Sequence, residues 1–535
     1  MVKNLPLVLL FAVVLAVPFV LRPAKEAAGK SDRTLVVVSP HNEAIRHEFE
    51  HGFREFWKAK TGENVKFDWR TPGGVSEIAR FLAGEYFGAF EFYWTRDLKK
   101  PWTPEARAAF DNSKLNLDDT PADDTDAESA RRAFLTSDVG IGIDVFFGGG
   151  SFDFSQQAEA GRLVDSGALK RHPELFGETA IPQSLGGEVF WDKHGRWIGT
   201  CLGAFGICYN TDSLKRLEKD RPPQQWSDLG KPGFFGEIAL TDPTKSGSAA
   251  KAFEMLIQQQ IHETVNRALA SGQDEKTAVA EGWANAMRLL QRIGANARYF
   301  TDAGSKPAID VSLGDSAAGM SIDFYGRFQS ESVQRPDGSS RIIYFTPTGG
   351  SSTGSDPVGL LRGAKEPELG KAFIDWLLTL EAQKLWNFKL GTPGGPEKYA
   401  LRRLPIRREL YAPEWHDLRS DPDVDAYADA ASFTYRGDWT ASLFNPMRLI
   451  IRVMCLDTSD ELRAAWKALI DAGMPPEAVA TFDDVSVISY EAASTKIREA
   501  LRSANRIEEV RLSKELGDVF RAKYRKAAEQ ARQRL

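Results

Sequence analysis

Residues 237–257 read EIALTDPTKSGSAAKAFEMLI. Ile238 to Leu240 is a short apolar run, long enough for a buried strand. Thr241 to Ser248 is rich in hydroxyls, with Pro243 and Gly247 as turn residues. From Ala249 the apolar residues fall at helical spacing: Ala249, Phe253, Leu256, Ile257. Ser246 or Ser248 can cap that helix. A strand that feeds a hydroxyl-rich loop into a helix N-terminus aims free N–H groups and the positive end of the helix dipole at one spot, which suits an anion. An ordinary capped connection reads the same way in isolation. Several similar loops elsewhere in the chain give the anion reading its weight.

At 535 residues the chain exceeds what one core usually covers, so two or more domains are expected. Its 42% hydrophobic and 27% charged residues are those of a soluble globular protein. A net charge of -6 argues against a dedicated nucleic-acid binder. Cys201 and Cys208 fall in one expected strand at an odd spacing, so they face opposite ways. With Cys455 they make neither a disulfide framework nor a zinc cluster. Leu5 to Leu21 is almost wholly apolar, between Lys3 and Arg22. Residues 1–30 therefore read as a signal peptide or a signal anchor, and the lack of a small-residue cleavage pattern favours an uncleaved anchor. Either places the rest of the chain outside the cytoplasm, in the anchored case tethered to the inner membrane.

Thr34 to Val38, a helix whose apolar face is Ile45, Phe49, Phe53, Phe56 and Trp57, the strand Val65 to Trp69 and a helix from Ser76 to Leu82 open the chain as βαβα. Loops at the carboxyl ends of such strands are where ligands bind. Residues 83–138 read as an insertion, aromatic first and acidic later. The strand Ile143 to Phe147 ends in Gly148-Gly149-Gly150-Ser151, which lets a ligand approach the backbone closely. Trp197 to Tyr209 is long and apolar, suited to crossing between two lobes, and Leu369 to Phe388 reads as one amphipathic helix. The expected domains are an α/β lobe over 31–205, a second α/β lobe over 206–344, a return to the first over 345–410 and a helical extension over 411–535. The long helical periodicity from Tyr490 to Leu535 fits a cap packed on the body or an arm for another protein.

Between Thr34 and Arg407 the chain resembles the extracellular solute-binding proteins of ABC importers, in the ferric-ion, polyamine and phosphonate branch. The matching pieces, in order, are VVVSPHNEA, the TPGG turn, DVFFGGGS, WIGTCLGAFGICYNTDSL, WSDLGKPGFFGEIALTDPTKSGSA, GMSIDFYGRF and GLLRGAKEPELGKAFIDWLLTLEAQ. The resemblance implies a two-lobe periplasmic-binding-protein fold with hinge-crossing strands near Trp197–Tyr209 and Arg341–Phe345. It implies a cleft that closes on a small ligand and an ABC permease as membrane partner. It places the ligand among His41, Asn42, Gly73, Gly74, Gly149, Gly150, Ser151, Ser246, Gly247, Ser248, Asp323 and Tyr325. Those residues offer backbone N–H and hydroxyl donors with few fixed positive charges, a set suited to an anionic or phosphorylated organic solute. Polyamines and other solutes are alternatives.

The iron-binding branch pairs adjacent tyrosines with a His and a Glu. Here Phe324 stands beside Tyr325, and glycine stands near where the Glu falls. Ferric iron, as transported ligand on His41 and Tyr325, is the weaker alternative. No resident cofactor is expected. His47-Glu48-Phe49-Glu50-His51 matches the zinc-protease pattern H-E-x-x-H, but its histidines fall on the face opposite Phe49 and no third ligand follows in a motif. Asp144, Asp242 and Asp323 read as strand ends or caps rather than a glycosidase pair. Binding without catalysis is the expectation, with a membrane-anchored sensor or scaffold on the same fold as the alternative.

Overall fold

Two β-sheets, each with its own core, are joined where the chain crosses between them twice. The computed structural model describes residues 32–115, 117, 124–219, 221–502 and 506–534. The apolar run Leu5–Leu21 lies outside the described residues. Among the described residues no helix is long and apolar enough to cross a membrane.

The strands β1 (Arg33–Val38) and β2 (Val65–Arg70) pair in parallel from Arg33↔Val65 to Val38↔Arg70. The helix Glu43–Thr61 makes the crossover. It starts where the Asn42 side chain accepts from the Ile45 N–H and stops at Gly62 in the left-handed conformation. Its face of Ile45, Phe49, Phe53 and Trp57 is buried with Phe147, Phe373, Trp376 and Trp386. β3 (Val145–Phe147) lies parallel on the other side of β1. The first sheet is completed by β4 (Leu163–Val164), β7 (Ile198–Gly203), β13 (Gly354–Leu361) and β14 (Leu404–Pro405), in the order β14-β7-β13-β3-β1-β2, with β4 on β13. A small hairpin, β5 (Ser184–Leu185) and β6 (Glu188–Val189), stands apart.

The second sheet has the order β10-β9-β11-β8-β12. Its strands are β8 (Phe205–Asn210), β9 (Ile238–Thr241), β10 (Ala297–Thr301), β11 (Ala318–Ile322) and β12 (Ile342–Phe345). The chain leaves the first sheet at Gly203 and enters the second at Phe205, with only Ala204 between. It returns from Phe345 to Gly354. The run expected as one crossing strand is therefore two strands in different sheets. Cys201 lies in β7, Cys208 in β8, and both are buried and free, as is Cys455.

Several sequence expectations need correction. The helix that starts at Val75 does not end at Leu82 but continues to Phe92. The expected insertion is thus built onto that helix. Its Phe90 and Trp94 join Phe110 and Phe134 in a third core cluster, while Phe92 is exposed. The acidic residues Asp118, Asp119 and Asp123 lie outside the described residues. Glu128 forms a capping box with Thr125 at the head of a further helix, Asp126–Thr136. Leu369 to Phe388 is two helices, Pro367–Leu377 and Leu380–Asn387. The break falls at Thr379, whose side chain caps the second helix through the Ala382 N–H. The tail is not a detached arm. Tyr411 and Tyr427 pack on the first lobe. Met454, Trp466, Phe482, Phe520 and Tyr524 share the core of the second lobe with Trp283 and Leu290. From Tyr490 the described residues are helical to Arg502, with a π-helical turn over Ala493–Ile497, and again over Arg506–Arg532.

Candidate functional site

Between the lobes lies a cleft of about 700 Å³, within the range of small-molecule sites. Five strand ends feed it. β1 leads to His41 and Asn42, β2 to Gly73 and Gly74, β3 to Gly149 and Gly150, β9 to Ser246 and Gly247, and β11 to Phe324 and Tyr325; all of these line the cleft. Each end is followed by a helix, so helix N-termini of both lobes converge on one space.

The first pole of the cleft is made by three of them. The helices Val75–Phe92 and Ser151–Ala160 are capped by Gly74 and Gly150, neither of which supplies a side-chain cap. Their first-turn N–H groups have no intrahelical acceptor. The third, Gly247–Ala270, is capped by Ser246, whose hydroxyl accepts from the Ala249 N–H at 3.2 Å. The lobes touch here. A Cβ on Gly74 would lie 2.9 Å from the Lys245 carbonyl oxygen, so only glycine admits this approach. The Asp153 carboxylate lies between the two lobes at this pole, 3.6 Å from where a Cβ on Gly247 would stand. Burial pushes its pKa up to about 6.

The second pole lies where the chain crosses between the lobes. Arg403 is buried and its Nη1 pairs with Asp356 Oδ2 at 2.5 Å. Its guanidinium carbon lies 4.4 Å from the Phe324 ring centre. His41 Nε2 lies 3.7 Å from the same carboxylate oxygen. Burial lowers the His41 pKa, so the ring is neutral near pH 7. Gly148, at φ +93°, packs against this ring; a Cβ there would come within 2.4 Å of it.

On one wall Lys251 Nζ bridges Glu188 Oε1 and Glu254 Oε2, both at 2.9 Å, and stands 3.8 Å from the Tyr435 ring centre. Burial disfavours this ammonium, but the two carboxylates outweigh it and raise its pKa. The lining as a whole carries six carboxylates, of Asp153, Glu159, Glu188, Glu254, Asp302 and Asp356, against Lys245, Lys251 and Arg403. That is a formal excess of three negative charges.

Eleven of the twelve residues expected at the site line this cleft: His41, Asn42, Gly73, Gly74, Gly149, Gly150, Ser151, Ser246, Gly247, Ser248 and Tyr325. Asp323 does not. Its carboxylate is buried in an ion pair with Arg327 at 2.5 Å and caps the Phe324 N–H of its own helix. Lys245, Lys251 and Arg403 also line the cleft and were not among the expected residues. The single charged residue of β13 (Asp356) and the two arginines just before β14 (Arg402 and Arg403) were the available signals.

The H-E-x-x-H helix has another use. Glu48 is buried, and its carboxylate accepts the backbone N–H groups of Glu397, Lys398 and Tyr399 at 2.7–2.9 Å. His47 packs edge-on to Tyr399, and His51 Nε2 lies 3.8 Å from Glu397. Asp144 joins β1 to the segment at Glu366 by accepting the N–H groups of Val36 and Glu366, and Asp242 accepts from Thr244. Among the described residues no group of three or more His, Cys, Asp or Glu is placed to hold a metal ion. His41 and Tyr325 both line the cleft, and burial raises the Tyr325 pKa.

Residues 137–421, more than half of the chain, match the sequence model of the bacterial extracellular solute-binding protein family. Among curated proteins, an uncharacterised protein of Haemophilus influenzae is 24% identical over 242 residues, 45% of this chain and 60% of the relative. The phosphoglycerate transport regulatory protein PgtC of Salmonella typhimurium is 22% identical over 188 residues, 35% of this chain and 40% of the relative. The matched stretches thus span between two fifths and three fifths of those relatives. Among solved structures, the periplasmic binding protein AfuA from Actinobacillus pleuropneumoniae, with fructose-6-phosphate bound, is 18% identical at a TM-score of 0.44. That alignment covers 66% of this chain and 82% of AfuA.

Proposed function

The chain belongs to the bacterial extracellular solute-binding proteins, and on that footing we propose that it binds a small phosphorylated organic solute and delivers it to an ABC importer. The observation that carries the ligand class is the convergence of three helix N-termini from both lobes at one pole of the cleft. A phosphate group there takes N–H bonds from both lobes at once, so it favours the closed form by its differential affinity. The curated relative named for phosphoglycerate transport agrees with this class. The protein acts outside the cytoplasm without turning its ligand over, and Leu5–Leu21 tethers it to the membrane next to its permease.

The acidic excess of the lining favours a second reading, a polyamine held by carboxylates at the cleft rim. A thermal-shift screen against phosphate esters, polyamines and ferric iron separates the readings through ligand-linked stabilisation. Phosphate esters alone are expected to raise Tm. A shift with spermidine and none with any phosphate overturns the proposal, and turnover of a bound ester by the pure protein removes the non-enzymatic part.

A further inference from the structure

Five charged side chains form a ladder between the lobes beside the first crossing. Asp323, Arg327 and Glu331 stand one turn apart on the helix Asp323–Ser332, which packs on the second sheet. Arg402 and Asp421 belong to the first lobe. Arg402 directly precedes Arg403 and β14, and Asp421 Oδ2 accepts from the Asn387 side-chain amide at 3.0 Å. The signs alternate from Glu331 through Arg402, Asp421 and Arg327 to Asp323. Every side chain but that of Glu331 is largely buried. Burial disfavours the Asp421 carboxylate, but Arg327 and Arg402 outweigh it and lower its pKa. The ladder touches the crossing itself, because the Asp323 N–H donates to the carbonyl of Ala204, the one residue between β7 and β8.

The rungs within each lobe are short. Arg327 Nη2 lies 2.5 Å from Asp323 Oδ2, and Arg402 Nη2 lies 2.5 Å from Asp421 Oδ1. Between the lobes one rung has full hydrogen-bond length, from Arg402 Nη1 to Glu331 Oε2 at 2.9 Å. The others are slack. Arg327 Nη2 reaches the Arg402 carbonyl, and Arg402 Nη1 the Arg327 carbonyl, each at 3.4 Å. Arg327 Nε stands 3.6 Å from Asp421 Oδ1 and has no hydrogen-bond partner although it is buried. A buried donor is nearly always satisfied. A charge-assisted N–H···O bond is about 2.7–2.9 Å long, so a shift of less than about 1 Å between the lobes makes the missing one. All of the slack lies in contacts that cross between the lobes, where a relative movement takes it up without disturbing either lobe.

We propose that the Asp323–Arg327–Asp421–Arg402–Glu331 ladder is an interlobe clasp with two settings: the one described, with the Arg327 Nε rung open, and one with the lobes nearer, in which Asp421 accepts from Nε. Closure is then favoured by the protein's own charges, whatever the cleft holds, and the free protein populates both settings. Pulsed electron–electron resonance on the ligand-free full chain tests this. Spin labels go on Thr71→Cys and Ala303→Cys, exposed positions in the loops after β2 and β10; the three native cysteines are buried. Arg327→Lys keeps the charge and lacks the Nε donor. Asp421→Asn keeps the shape and lacks the charge. Arg171→Gln breaks an ion pair with Asp375 inside the first lobe and serves as control. The parent is expected to show two interspin distances. Arg327→Lys and Asp421→Asn are each expected to lower the shorter-distance population at least about twofold, and the control to leave it unchanged. Circular dichroism checks folding, and where one variant fails to fold the other carries the comparison. A single distance in the parent overturns the proposal, as does a shorter-distance population that the folded ladder variants leave unchanged or that Arg171→Gln lowers equally.

Discussion

Asp153 stands in the first turn of the helix Ser151–Ala160, close to Gly150 and, across the cleft, to Gly247. A carboxylate there competes with a ligand phosphate for the same helix N-termini; its protonated form does not. With a folded-state pKa of about 6, affinity for a phosphate ester gains a component that grows as pH falls through 6. The ester's own second ionisation lies near the same pH, so Asp153→Asn isolates the protein's part. The variant is expected to bind several-fold more tightly at pH 7.5 and to lose that component, as read by calorimetry across pH 5–8. Stability follows the same sign. The folded pKa stands above the ordinary carboxylate value of 3.8, so the group's favourable contribution is full below about 3.8 and lost as pH rises through 6. Urea midpoints of Asp153→Asn should exceed those of the parent at pH 8.

Ser246 and Ser248 separate capping from binding. Ser246→Ala removes the bond to the Ala249 N–H and should cost about 1 kcal/mol of stability as well as affinity. Ser248→Ala should cost affinity alone, about 0.5–1.5 kcal/mol or up to roughly tenfold. Gly247→Asp should do more, by adding a carboxylate at the anion pole. Alanine at His47 and His51 should leave affinity unchanged. The loop residues at this pole were legible in the sequence because glycines, hydroxyls and helix starts are local signals. Arg403 and Asp356 were not, because they meet His41 only after the chain has crossed between lobes twice.

At the scale of elements, the helix Phe444–Ile451 ties the two lobes at the first pole of the cleft. Arg448 Nε donates to the Pro243 carbonyl at 2.7 Å, and Nη2 donates to the Thr244 carbonyl at 3.1 Å and to Ser76 Oγ at 2.5 Å. Phe444 lies 4.6 Å from Phe152, ring centre to ring centre. One helix from the tail thus bonds the loop after β9 and the helix after β2. Arg448→Ala removes charge-assisted bonds worth about 1.5–3 kcal/mol each at most. It should loosen the closed form, raising ligand dissociation by at least about tenfold in stopped-flow measurements while the far-ultraviolet circular dichroism is unchanged. An unchanged dissociation rate shows that Arg448 does not hold the lobes together. Element types were read correctly where periodicity was strong, as in Glu43–Thr61. Breaks were missed where a side chain ends one helix and starts the next, as at Thr379, because the apolar face continues across the break.

For the whole molecule, the family match ends at residue 421, but the second lobe does not. Trp283 donates to the Ile488 carbonyl, Gln291 to the Phe482 carbonyl, and Tyr524 to the Met454 carbonyl. These bonds are buried in a core that runs through both the lobe and the tail. The change of composition near Tyr411 suggested a separate extension, yet contacts so distant in sequence leave no local pattern. Under the proposed function, helix N-termini of both lobes hold one phosphate. Amide NMR of the full chain, titrated with the tightest-binding phosphate ester, tests it most directly. The N–H resonances of Gly74, Gly150, Ser151, Gly247 and Ser248 are expected to shift together in one saturable transition. Saturable binding that leaves those five amides in place contradicts it.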